Sequence, residues 1–195
     1  MTKGRLEAFS DGVIAVIITI MVLELKTPVG HDLAAIGPLL PTLLIYVISF
    51  LMVGIYWANH HHTFQAVEKV NGAVLWANMF LLFWLSLIPL LASWLGETWL
   101  SPWPVAIYGV DAIMAGIAYT LLVQALVRVP GQPSTLAAAI GKSYKDKLSI
   151  LLYGLAIVVA FIFPAGSIAL FLAVSAMWLI PDRRIERVIK EPGTD

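Results

Sequence analysis

Three long stretches of the chain carry no formal charge: residues 33–67, residues 70–96 between Lys69 and Glu97, and residues 148–181 between Lys147 and Asp182. A fourth apolar run follows Asp11 and closes at Glu24. Crossing a hydrocarbon core about 30 Å thick takes about 20 apolar helical residues. Runs of this length therefore predict membrane-spanning helices, and proline and glycine divide them into separate elements. The pattern predicts an all-α integral membrane protein with six helices, at about 8–25, 37–58, 71–95, 104–127, 148–163 and 166–180. Together they would make one transmembrane domain over residues 1–195. The last two helices are short, about 24 Å each at 1.5 Å per residue, which local thinning of the bilayer tolerates. Pro164-Ala165-Gly166 is the expected turn between them.

The basic residues test this count. Six spans with a cytoplasmic N-terminus place Lys3, Arg5, Lys69, Arg128, Lys142, Lys145, Lys147, Arg183, Arg184, Arg187 and Lys190 inside, and only Lys26 outside. Merging the last two helices into one span would put the termini on opposite sides and spoil that asymmetry, so six spans with both ends inside fit the positive-inside rule better. Trp94, Trp99 and Trp103 gather where the outer aromatic belt belongs. After Arg5 the apolar run leads into Glu24-Leu25-Lys26-Thr27-Pro28, which offers no small-residue cleavage site, so it reads as a span and not a cleaved leader. Arg183 to Asp195 reads as a short amphipathic tail.

Composition sharpens the class. The 195 residues are 60% hydrophobic and 12% charged, against about 25% charged in soluble domains, and the mean hydropathy is +0.89. Twelve Lys and Arg balance twelve Asp and Glu, which argues against a basic nucleic-acid surface. The absence of cysteine excludes disulfides, thiolate catalysis and Cys-based metal sites.

The polar residues that interrupt this pattern are the candidates for chemistry. Arg5-Leu6-Glu7-Ala8-Phe9-Ser10-Asp11 runs directly into an apolar helix. Such groups are costly in a membrane unless protein pairs them, although acids at a helix N-terminus also complement its dipole. His60, His61 and His62 are consecutive. Successive helical residues lie about 100° apart, so they do not converge on one metal ion as an i, i+4 pair does. They read instead as partners for carbonyls at a helix C-terminus, and no metal or cofactor is expected. Asp111 lies in the fourth helix, to be paired with Tyr108, Ser86 or Gln124, to sit wet near the outer interface, or to handle protons or ions. Glu24 either pairs with Lys26 or adds negative potential at an outer mouth.

Arg5-x-x-x-Phe9-Ser10-Asp11, followed by Gly12, resembles the RxxxFSD signature that opens the first helix of the transmembrane protein 175 family of potassium channels. The resemblance extends to Thr19 and Leu23-Glu24-Leu25, to Trp57-x-x-His60-His61, and to Trp76-x-Asn78 with Pro89. It covers the first half well, while helices 4 to 6 match only in hydropathy and count. It implies a K⁺-conducting homotetramer of six-helix subunits in the lipid bilayer of a prokaryotic plasma membrane, with helix 1 of each subunit lining the pore. It also implies a hydrophobic gate at Val16, Ile20 and Leu23, with Thr19 contributing to selectivity. With Val16 as zero on a helical wheel, Ile20 falls at about +40°, Leu23 at about −20° and Thr19 at about −60°. One face holds all four, although almost any such spacing in this helix would be apolar. Val16 is smaller than the Ile or Leu usual at that family position, which implies a wider first constriction.

Asp11 falls at about −140°, away from that face. It is expected to clasp helix 1 to helices 2 and 3, with His60 or His61, Trp76 and Asn78 as partners and Arg5 pairing with Glu7 or Asp11. Two other classes fit the sequence less well. A proton-coupled secondary transporter would use Asp111 and Asp11, but halves 1–3 and 4–6 share no repeat pattern. An intramembrane enzyme would need a nucleophile–base pair, a metal motif or a nucleotide loop, and the sequence offers none.

Overall fold

The computed structural model describes residues 2–131 and 144–179. Among the described residues six α-helices follow one another: α1 (Lys3–Leu23), α2 (Leu40–Gln65), α3 (Gly72–Glu97), α4 (Pro102–Val127), α5 (Tyr144–Ala160) and α6 (Pro164–Leu179). A 3-10 segment, Leu33–Leu39, leads into α2. Helices α1 to α4 are long and apolar enough to cross a membrane, whereas α5 and α6 are shorter apolar helices.

Helix boundaries follow local chemistry. Asn71 caps α3, its side chain accepting from the Val74 amide at 3.0 Å. Prolines stand in the opening turns of α2 and α4, where a missing N–H costs nothing. The same rule corrects the expected turn at Pro164-Ala165-Gly166: Pro164 begins α6, and the turn falls at residues 161–163. Helix α1 starts at Lys3 rather than residue 8, so the whole Arg5–Asp11 signature is helical. Helix α2 runs to Gln65 rather than residue 58, carrying His60–His62 inside it. In both places polar side chains find partners across the bundle, described below, and the helix continues. Lys142, Arg183, Arg184, Arg187, Lys190 and the tail to Asp195 lie outside the described residues.

Helices α3 and α4 pack on each other at the centre. Helix α1 packs on α3 and α2; at the other edge α5 packs on α4, and α6 on α5, α2 and α4. Helix α1 buries one stripe, Leu6, Ser10, Ile14, Ile17 and Met21, at the spacing of a single helical face. Small residues bring backbones close where helices cross, because in lipid association depends on van der Waals fit and hydrogen bonds. A Cβ on Gly109 of α4 would meet Ile157 of α5 at 2.9 Å, and one on Gly96 of α3 would meet the Thr42 backbone at 2.9 Å. Interior hydroxyls are paired between helices: Ser49 and Tyr108 share a 2.9 Å bond, and Thr63 and Tyr119 one of 2.7 Å. Large apolar side chains such as Phe83, Leu90, Leu121 and Leu151 point outward. This is the surface of a protein whose surroundings are lipid.

Candidate ion pathway and helix clasp

The polar start of α1 is tied to its neighbours by two chains of hydrogen bonds. In the buried chain, Ser10 Oγ donates to the Leu6 carbonyl at 2.8 Å and accepts from Asn78 Nδ2 of α3 at 2.9 Å. Asn78 Oδ1 meets His60 Nε2 of α2 at 2.8 Å. Since the Asn78 amide nitrogen donates to Ser10, its oxygen is left to accept, and His60 must donate through Nε2. Ser10 and Asn78 are fully buried and His60 is 1% exposed. His60 also stacks on Phe64, ring centroids 4.4 Å apart. Every one of these polar groups therefore has the partner that burial demands.

The outer chain runs along the same end of the bundle. Trp57 Nε1 donates to Asp11 Oδ1 at 3.0 Å, and the Trp57 ring stacks on His61, which bonds to Gln65 at 2.8 Å. Lys3 adds a third tie, donating to the Val67 carbonyl at 2.8 Å. The site thus brings together Ser10, Asp11, His60, His61 and Asn78 of the expected clasp. Trp57, Gln65 and Lys3 were not anticipated as partners. For Trp57 a signal existed, since it stands four residues before His61 and shares its helix face.

Three expected members fall outside. Trp76 is 75% exposed; it lies two residues, about 200° of helix, from Asn78, so the two side chains cannot face the same neighbours. Phe9 is 47% exposed beside the buried Ser10. Arg5 is exposed and makes no ion pair with Glu7 or Asp11.

The other face of α1 is uncovered in the single chain. Val16 is 54% exposed, Ile20 40% and Leu23 79%, and Thr19 is exposed among them. Thr19 Oγ1 donates to the Val16 carbonyl at 2.9 Å, so its hydroxyl proton is used within the helix and its oxygen is presented outward as an acceptor. Glu24 caps the end of this face, exposed. The alternative Glu24–Lys26 pair is not formed, because Lys26 bonds Glu97 of α3 at 2.8 Å.

Asp111 is 2% exposed on α4, which packs against α3, α5 and α6. Neither carboxyl oxygen has a hydrogen-bond partner among the described residues. Of the partners considered, Tyr108 bonds Ser49 and Ser86 bonds the Phe83 carbonyl. No group of three or more His, Asp or Glu side chains among the described residues is placed to hold a metal.

With this geometry in place, comparison with known proteins gives a consistent result. The sequence profile of the family described as "Endosomal/lysosomal potassium channel TMEM175" matches residues 5–89, from Arg5 through the clasp residues to Pro89. A potassium channel of Chryseobacterium sp. (strain P1-3) is 53% identical over 191 residues, covering 98% of this chain and all of the relative. A potassium channel of Streptomyces collinus is 36% identical over 128 residues, 62% of each chain. Among solved structures, the crystal structure of a lysosomal potassium-selective channel TMEM175 homologue from Chamaesiphon minutus superposes with a TM-score of 0.78 at 25% identity, covering 92% of this chain and 97% of the other. Its family is one of ion channels and not of enzymes. The chain belongs to the TMEM175 family of potassium channels.

Proposed function

We propose that this chain is the subunit of a homotetrameric, K⁺-selective channel of a prokaryotic plasma membrane, working as one domain over residues 1–195 with both termini cytoplasmic. In this reading α1 of each copy lines the pore, Val16, Ile20 and Leu23 form the gate, and Thr19 contributes to selectivity. The observation that carries it is the division of α1 into a buried stripe and an uncovered face that holds all four residues. One helix cannot enclose a pore, so the reading requires further copies.

The mechanism follows from elementary solvation. A ring of branched aliphatic side chains dewets a narrow pore, and an ion entering it sheds water with nothing to replace it. Outward tilt or rotation of α1 widens the ring and restores a hydrated path. A ring of Thr19 oxygens replaces part of the hydration shell, a substitution that favours K⁺ over the more tightly hydrated Na⁺. The clasp holds the cytoplasmic end of α1 to α2 and α3 while the gate half moves. Glu24 lies at the outer mouth and concentrates cations. The rival reading, a proton-coupled carrier centred on Asp111, rests on the buried unpartnered carboxyl alone.

The test is the reversal potential in a planar bilayer with K⁺ on one side and Na⁺ on the other. A steady current reversing toward the K⁺ equilibrium potential is expected. Absence of current, together with pH-driven solute uptake in liposomes, would replace the channel with the carrier.

A further inference from the structure

We infer that Arg5 of every copy faces the cytoplasmic mouth of the ion path, where its fixed positive charge thins out the cations and makes current pass inward more readily than outward. The inference rests on the reading of α1 as the pore helix and extends it to two signature residues that the clasp leaves out, Arg5 and Phe9. Helix α1 is continuous from Lys3 to Leu23 and contains no proline, so its faces keep their bearing from end to end. Arg5 and Leu23 are 18 residues apart, which is about five whole turns at about 100° per residue. The two side chains therefore leave the helix in the same direction, about 27 Å apart along its axis.

That direction is kept at every step between them. Arg5, Phe9, Gly12, Val16, Thr19 and Leu23 follow one another at alternating spacings of four and three residues, and all are exposed. This is the spacing by which helices around a common axis keep one seam turned toward it. The buried stripe Leu6, Ser10, Ile14, Ile17 and Met21 lies about 100–180° around the helix from Arg5. A Cβ on Gly12 would meet nothing within 4 Å, so the seam runs open from the signature to the residues proposed as the gate.

No opposite charge answers Arg5 among the described residues. Glu7 and Asp11 leave α1 at about 160° and about 120° from it, and Asp11 is taken by Trp57. Lys3, another cation at this end of α1, turns into the bundle and donates to the Val67 carbonyl at 2.8 Å. Copies arranged around an axis bring together their Arg5 guanidinium groups, which stay charged at any working pH, about 16 Å to the cytoplasmic side of Val16. At the far end of the helix stands the exposed acid Glu24. A path with carboxylates outside and guanidinium groups inside gathers cations at one mouth and disperses them at the other. Water surrounds the Arg5 groups, so they lower the local K⁺ concentration without closing the path. That depletion limits the current that starts from the cytoplasm.

Inside-out patches carrying the full-length chain test this charge directly, because their cytoplasmic face is the bath. In about 20 mM symmetrical K⁺ the Debye length is about 20 Å, and the unaltered channel is expected to pass less current outward than inward. Arg5→Gln is expected to remove that asymmetry by raising outward current about threefold. Arg5→Lys keeps the charge and should keep the asymmetry. In about 1 M K⁺ the Debye length is about 3 Å, and all three proteins should coincide. Should Arg5→Gln fail to assemble, Arg5→Cys takes its place in this cysteine-free chain, treated after assembly with methanethiosulfonates in the bath. A cationic reagent is then expected to restore the asymmetry and an anionic one to reverse it. Equal outward currents in Arg5→Gln and the unaltered channel at low salt would overturn the inference and leave the pore helix in place. So would an Arg5→Lys channel that behaves as Arg5→Gln does, since shape and not charge would then matter. Absence of any K⁺ current from the unaltered chain would remove the channel reading itself, and this inference with it.

Discussion

The two halves of α1 are held in different ways. Its first half is tied to α2 and α3 through Ser10, Asn78 and His60 in the interior and through Asp11 and Trp57 nearer the surface. Its second half is held by apolar packing of Ile14, Ile17 and Met21, and its one hydroxyl, on Thr19, bonds only to its own helix. Directional bonds fix a register, while apolar contacts tolerate sliding and small rotations. A helix clasped at one end and greased at the other can swing, and the uncovered residues Val16, Ile20 and Leu23 lie along the half that is not clasped.

The comparison can be broken first at the clasp. Asn78→Leu leaves Ser10 and His60 buried without their shared partner, at about 1–3 kcal/mol for each orphaned group. The expected result is a loss of thermal stability in detergent well beyond that of any substitution on the uncovered face. An unchanged melting temperature would mean that the buried chain holds nothing. On the other half, Ile20→Asn is expected to leave folding intact and raise cation conductance about tenfold, equivalent to about 1.4 kcal/mol off the barrier. Macroscopic current at matched protein density measures it, and unchanged current would remove Ile20 from the gate. The smallest effect is expected at Thr19→Ala, which should lower the K⁺/Na⁺ permeability ratio a few-fold in bi-ionic recordings without altering expression. A preserved ratio would move selectivity to another position.

Six helices were legible because charge-free runs and prolines write themselves directly into a membrane protein's sequence. Helix ends were less so. Lys3 to Glu7 lie before the expected start at residue 8, yet they are helical, since the ties that sustain the start of α1 come from residues up to 68 positions away. The clasp was readable in kind but not in detail. A polar signature entering an apolar helix called for partners, and Asn78 and His60 supplied them. Trp76 was misplaced, although the 200° between it and Asn78 already spoke against both facing inward. Asp11 chose Trp57 over a charged partner, a preference set by which helix faces meet and therefore invisible in one dimension. The fate of Glu24 shows the same limit, since its nearby Lys26 reaches across to Glu97 instead.

The central claim, that the uncovered face of α1 lines a cation path, is tested most directly by single cysteines in this cysteine-free chain. Ile20→Cys and Ile17→Cys lie three residues apart, one on the uncovered face and one on the buried stripe. Under a steady K⁺ current, a small cationic methanethiosulfonate reagent should block Ile20→Cys and spare Ile17→Cys. Block of Ile17→Cys with Ile20→Cys untouched would turn the helix around and contradict the account.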